Sequence, residues 1–235
     1  MTAVMFAGPS LWDMRGKIPE GITILPPAQC GDLLAAWRNG ATRIGLVDGL
    51  FGTCRSVWHK EILAVLAAGV PVLGAASLGA LRAAECAPFG MQGVGRVYHD
   101  YAMGRRWSDA DVALIHGPAE TGFMPLSVPL VDADDTLDAL LTSGAIEQAE
   151  SDLLRIASRD LGFANRTWVG IFAVSGLPEA RKAGLCQMAA QRRPAVKARD
   201  ALRLALALQD ACPHRTLPDF ARTIHFVALE KSLPE

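Results

Sequence analysis

The sequence predicts an α/β fold: a parallel, Rossmann-like sheet flanked by helices in the N-terminal half, joined to a helical C-terminal portion. Three observations carry this reading. Short apolar runs alternate with helical patterns over the first part of the chain, as in parallel βαβ units. From about Pro129 onward only the three-and-four spacing of helices remains. The chain has 235 residues, 51% of them hydrophobic, enough for one large α/β domain or a core with a helical appendage. The expected division is an α/β core over 1–128 and a helical portion over 129–235, packed on that core.

The elements follow in order. Ala3–Phe6 is the first strand, stopped by Gly8-Pro9-Ser10. Ile22–Leu25 is a possible second strand, running into Pro26-Pro27, and Asp32–Asn39 is helical. Arg43–Val47 is apolar and ends at Asp48-Gly49. Val57–Ala68 follows as a helix whose stripe is Trp58, Ile62, Val65 and Leu66. Val70–Leu73 ends at Gly74 and Ser77 and passes at once into the helical pattern Leu78–Cys86. A fifth apolar run, Val112–Ile115, ends at His116-Gly117-Pro118. Asp134–Leu141, Ile146–Leu161, Pro178–Gln191 and Pro194–Gln209 are helical, punctuated by Gly144, Gly162, Gly176 and Pro213.

Composition excludes several classes. A net charge of −1 gives no bulk attraction to nucleic acid or to an anionic membrane. No stretch approaches the ~20 uncharged apolar residues of a transmembrane helix, and the N-terminus reads as a strand rather than a signal peptide. The five cysteines (Cys30, Cys54, Cys86, Cys186 and Cys212) are scattered, with no Cys-x-x-Cys and no metal-ligand spacing. Reduced thiols in the cytoplasm are the expectation. No metal and no cofactor is expected. Gly90-Met-Gln-Gly93-Val-Gly95 follows Pro88-Phe89 rather than a strand, so it is discounted as a dinucleotide fingerprint.

In open parallel sheets, ligands bind beyond the carboxyl ends of the strands. The Gly8–Ser10, Asp48-Gly49, Ser77 and His116-Gly117 loops are therefore expected at one edge. Ala75-Ala76-Ser77-Leu78-Gly79 has the small-x-Ser-x-Gly shape of a nucleophile elbow, beside the positive end of a helix dipole. Ser77 as a plain helix cap is the competing reading. Asp48-Gly49 is either a turn or the seat of a catalytic carboxylate. His59, Lys60 and Glu61 succeed one another on a helix, ~100° apart, and cannot all face one ligand. Arg82 and Glu85 share a helix face. They form either an ion pair or an anion-holding arginine with its orienting carboxylate. His116 is a candidate general base.

Several blocks then resemble those of TfuA-like proteins. They are Phe6-Ala-Gly-Pro-Ser-Leu11, Pro26-Pro27 with Gly31-Asp32, Asp48-Gly49-x-Phe51, Val57-Trp-His-Lys-Glu-Ile-Leu63, Gly74-Ala-Ala-Ser-Leu-Gly-Ala-Leu-Arg-Ala-Ala-Glu85, Phe89-Gly-Met-Gln-Gly-Val-Gly95 and His116-Gly117-Pro118. The likeness runs from the first strand to about Asp138. Leu78 stands where the family often has methionine, and Cys86 where an aliphatic residue is usual. The Gly52–Ser56 loop also departs from the family form, and Cys54 receives no role.

The resemblance implies a part in peptide-backbone thioamidation. Such proteins act beside a YcaO enzyme and are understood to hydrolyse a thiocarboxylated, ThiS-like sulfur carrier protein, releasing sulfide, while assisting the engagement of YcaO with its precursor peptide. On this reading Ser77, His59, Lys60 and Asp48 are catalytic. Arg82, Glu85, Ser10 and His116 bind substrate. The alternatives are a non-catalytic adaptor for carrier and YcaO, a general serine hydrolase, and nucleotide binding, against which the lack of a phosphate loop argues.

Overall fold

The computed structural model describes residues 2–50, 52, 54–193, 195–213 and 218–233. Phe51 and Thr53, from two of the blocks above, and Pro194, the expected helix start, lie outside them. The strands are β1 (Thr2–Phe6), β2 (Ile22–Leu25), β3 (Ala41–Leu46), β4 (Val72–Ala75) and β5 (Gln92–Val94). The helices are α1 (Asp32–Arg38), α2 (His59–Ala67), α3 (Leu78–Cys86), α4 (Gly95–Ala102), α5 (Leu130–Thr142), α6 (Gln148–Asp160), α7 (Trp168–Val174), α8 (Glu179–Gln191), α9 (Val196–Gln209) and α10 (Ile224–Ser232). The chain forms two compact units, Met1–Trp107 with Ala198–Glu235, and Ser108–Lys197.

The first unit is built on a five-stranded sheet in the order β2-β1-β3-β4-β5, parallel throughout. Strand alternation sends Val4, Phe6, Ile44, Leu46 and Val72 to one face, where Leu33, Leu34, Ile62, Val65 and Phe226 cover them. Ala3, Met5, Val47, Leu73 and Ala75 go to the other, where α9 lays down Ala198, Ala201, Leu204, Ala205 and Leu208. That i, i+3, i+4 stripe is the apolar face of a helix sealing a two-sided sheet. Gly45 admits it, since a Cβ there would lie 2.7 Å from Leu204.

One expected strand is replaced by another. Val112–Ile115 is not a strand; it is irregular chain, with one isolated bridge from His116 to Pro125. The fifth strand is Gln92–Val94, inside the discounted glycine-rich segment. Its glycines serve close packing: a Cβ at Gly93 would lie 2.0 Å from the Tyr98 ring, and one at Gly95 2.2 Å from the Asp200 carboxyl. Asp200, fully buried on α9, accepts the Val97 N–H at 2.9 Å and so caps α4. Burial raises its pKa against that hydrogen bond.

The second unit packs α5 to α8 around Leu137, Leu154, Ile171 and Leu185. Buried Arg166 ties its loops, donating to the carbonyls of Ser158 at 2.7 Å and Leu161 at 2.9 Å. Among the described residues no helix is long and apolar enough to cross a membrane.

Glu61 is fully buried, where a lone carboxylate is costly. It accepts the N–H groups of Trp58 at 2.7 Å, Gly31 at 2.9 Å and Leu33 at 3.3 Å, joining the starts of α1 and α2. Burial outweighs those bonds and raises its pKa to about 7. The native protein therefore holds a proton there that the unfolded chain, with the ordinary carboxyl pKa near 4.5, has lost. This contribution is complete below pH ~4.5 and is lost as pH rises through ~7, amounting to a few kcal/mol. Urea unfolding of Glu61→Gln should show that this part of the slope has gone. The variant should also be about 1–3 kcal/mol less stable at acid pH, because its amide cannot accept from both sides.

Candidate functional site

β1 connects to β2 on one side while β3 pairs on the other, so the loops after β1 and β3 diverge. A crevice opens at such a reversal of strand order, and there open α/β sheets hold ligands. Asp48 enters it directly from the end of β3 and is 2% exposed. Its Oδ2 accepts the N–H of Gly8 at 2.9 Å and of Ser10 at 3.0 Å, and its Oδ1 accepts the Ser10 hydroxyl at 2.7 Å. Backbone bonds reinforce the junction: Val47 and Asp48 both donate to the Phe6 carbonyl, and Ala28 donates to that of Asp48. Ser10 gives both its protons to Asp48 and offers the crevice only lone pairs.

The Ser77 turn lies on the next strand over. β4 ends at Ala75, Ala76 takes φ +66°, and the Ser77 N–H returns to the Ala75 carbonyl at 2.7 Å. A tight turn with positive φ at a residue bearing a Cβ is strained by about 1–3 kcal/mol. The strain sits one residue before the serine. α3 then starts against β3, with the Gly79 N–H on the Val47 carbonyl at 3.1 Å. A Cβ at Gly79 would lie 1.8 Å from the Leu46 carbonyl oxygen, and one at Gly74 2.1 Å from that of Gly79. The Gly-x-x-Ser-x-Gly spacing thus presses a helix start onto the strand that carries Asp48.

Ser77 is 4% exposed and does not cap α3 with its side chain. Its Oγ makes no hydrogen bond among the described residues. Among those residues Ser56 Oγ is the sealed, unpartnered side-chain polar atom.

The first turn of α2 sends its three polar residues apart, as helical geometry requires. Glu61 turns inward, Lys60 donates to the Ala221 carbonyl, and His59, 49% exposed, meets Glu85 of α3 at 2.8 Å through Nε2. Arg82, 14% exposed, binds the same Glu85 oxygen at 2.6 Å, and its Nε donates to the Val57 carbonyl at 3.0 Å. Burial opposes ionisation of Glu85, but hydrogen bonds from His59 and Arg82 overcome it and hold the carboxyl below its usual range. The Arg82–Glu85 pair thus links α2 and α3, with Arg82 largely covered and Glu85 exposed.

The geometry forms two polar groups in the first unit, Asp48 with Gly8 and Ser10, and Glu85 with His59 and Arg82. No hydrogen bond joins Ser77 to either group. His116 lies in the second unit, off any strand end; its Nδ1 is 2.7 Å from the Gly117 carbonyl and its ring meets the Phe123 edge. Cys54 is partly exposed. Among the described residues no His/Cys/Asp/Glu cluster could hold a metal.

A family model described as TfuA-like protein matches residues 48–167. The chain belongs to the TfuA-like family. The match begins at Asp48 and takes in His59, Lys60, Ser77, Arg82, Glu85 and His116, leaving Ser10 before it. No curated protein matches the chain. In this TfuA-like protein the residue missed by site reasoning is Glu61, which accepts the Trp58 N–H without the serine or threonine N-cap that would mark a capping box in the sequence. The Ser10–Asp48 bond, spanning 38 residues, had no local signal.

Two stability measurements test this construction. Asp48→Asn, whose amide opposes N–H donors, should cost about 1–3 kcal/mol in denaturant unfolding. Gly79→Ala, which meets backbone rather than a side chain that can swing away, should cost at least as much.

Proposed function

We infer that this protein has a role in the TfuA/YcaO system, which membership in the family supports. Within it, we propose that this protein hydrolyses a thiocarboxylated, ThiS-like sulfur carrier protein and releases sulfide for YcaO-dependent thioamidation of a ribosomally made peptide, while assisting YcaO in engaging that peptide. The observation that carries the proposal is the unpartnered Ser77 hydroxyl on a strained turn at the carboxyl edge of the sheet, at the start of α3. Strain of this kind collects at functional sites.

A thiocarboxylate terminus is an extended anion with an acyl carbon and a good leaving group. Ser77 Oγ, or a water it positions, attacks that carbon; the C–S bond breaks, sulfur leaves as hydrosulfide, and a C–O bond takes its place. Water completes the balance by leaving a carboxylate on the carrier. Arg82 neutralises the anion with Nη2, which has no partner among the described residues. Glu85 fixes one ring nitrogen of His59 and leaves the other for proton transfer. Lys60 reaches the anion once it leaves the Ala221 carbonyl. Asp48 ties the loop after β1 to the end of β3 and accepts a proton by way of Ser10. Backbone N–H groups at the α3 start favour the developing oxyanion.

One observation favours a second reading, a non-catalytic adaptor: among the described residues no base is hydrogen-bonded to Ser77. Mixing the purified protein with thiocarboxylated carrier, without YcaO, and assaying sulfide separates the two. Catalysis predicts turnover that Ser77→Ala lowers about a hundredfold or more, with the fold retained. Arg82→Gln should chiefly raise KM, about tenfold, because a charge-assisted contact to the anion is lost. Wild-type protein that binds carrier and yields no sulfide would establish the adaptor.

A further inference from the structure

In the second unit, α6 and α7 border a groove of 340 Å³ whose walls include Leu153, Ile156, Leu161, Val174 and Asp160. Ile156 is 57% and Val174 58% exposed. Isolated exposed aliphatics are ordinary, but a convergent apolar groove marks an interaction site. The charges of α6 sharpen this. Glu150 is held by Arg181 at 2.7 Å, and Asp152 by the Gln148 amide at 2.8 Å. Arg155 reaches Asp134 at 3.0 Å and Asp138 at 2.5 Å, and Arg159 leans to Asp134 at 3.8 Å. Asp160, on the groove wall, has no partner among the described residues. The basic residues of the helix are drawn to α5, and the one uncompensated charge facing the groove is negative.

We propose that this groove docks an amphipathic helix of a partner protein, its apolar stripe on Leu153, Ile156 and Val174 and a lysine or arginine against Asp160. Leu153 and Ile156 of α6 form one wall and Val174 of α7 another, a two-sided groove of the kind in which the i, i+3, i+4 anchors of a bound helix seat. The opposite charge sets register and selects the partner. The site belongs to the other unit from Ser77 and stands independently of the thiocarboxylate chemistry.

The probe is a helical peptide of about 14 residues, with leucines on one stripe and lysines flanking it, alongside a twin with glutamates in place of the lysines. Fluorescence anisotropy with the full chain should show saturable binding, the lysine peptide about fivefold tighter than its twin, as one partly exposed charge pair allows. Asp160→Asn should remove the difference between the peptides, and Ile156→Ser should weaken both without lowering the melting temperature. Equal affinity of the twins, or no saturation below about 1 mM, would overturn the proposal. A dimer in sedimentation that Ile156→Ser dissociates would overturn it too, by assigning the groove to a second copy.

Discussion

A carboxylate taken out of water must be given donors where it lies, and in this protein that requirement fixes the carboxyl edge of the sheet. Asp48 stands where the strand order reverses, and the donors available there are the N–H groups of Gly8 and Ser10 and the Ser10 hydroxyl. Satisfying them closes the loop after β1 onto the end of β3. The Gly79 N–H on Val47 then brings α3 against that same strand end. The position of Ser77 is thus set by the chain of contacts that begins at a buried charge on the neighbouring strand.

The same device recurs. Glu61 reaches from α2 to the start of α1, and Asp200 reaches from α9 to the start of α4. In each case an acidic side chain from a distant segment satisfies helix-start N–H groups that have no partner within their own helix. Neither helix start depends on a local serine or threonine cap. A negative charge at a helix start gains from the dipole as well as from the bonds, which offsets part of the cost of burying it. Glu61 lies between two such starts, and burial still wins over its three donors, raising its pKa to about 7.

The legible part of the fold was the part specified by local pattern. Leu78–Cys86 was read with the bounds it has, and Ile22–Leu25 likewise, since apolar spacing and Gly/Pro boundaries determine both. β5 was not legible: three residues with a central glycine carry no alternating signal, and its partner β4 supplies the register. Val112–Ile115 carried a strand-like signal, but its apolar residues pack without a sheet neighbour, and His116 goes with it. α4, α7 and α10 do not follow a strand legible in the sequence, as the equally short α1, α2 and α3 do, so tertiary contacts decide them. In the site, the divergence of His59, Lys60 and Glu61 followed from helix geometry alone, whereas the Glu85 bridge to His59 needed the crossing of α2 and α3.

That crossing determines what the cationic groups can do. Arg82 is anchored twice, by the Glu85 carboxylate and the Val57 carbonyl, so its planar fork is ordered before any ligand arrives. Ordering a long side chain in advance removes an entropy cost that binding would otherwise carry. Lys60 is a flexible point charge on a backbone carbonyl, a weaker hold that an anionic ligand can replace. The arrangement therefore separates one fixed donor, suited to orienting an anion, from one exchangeable donor, suited to following charge as it moves.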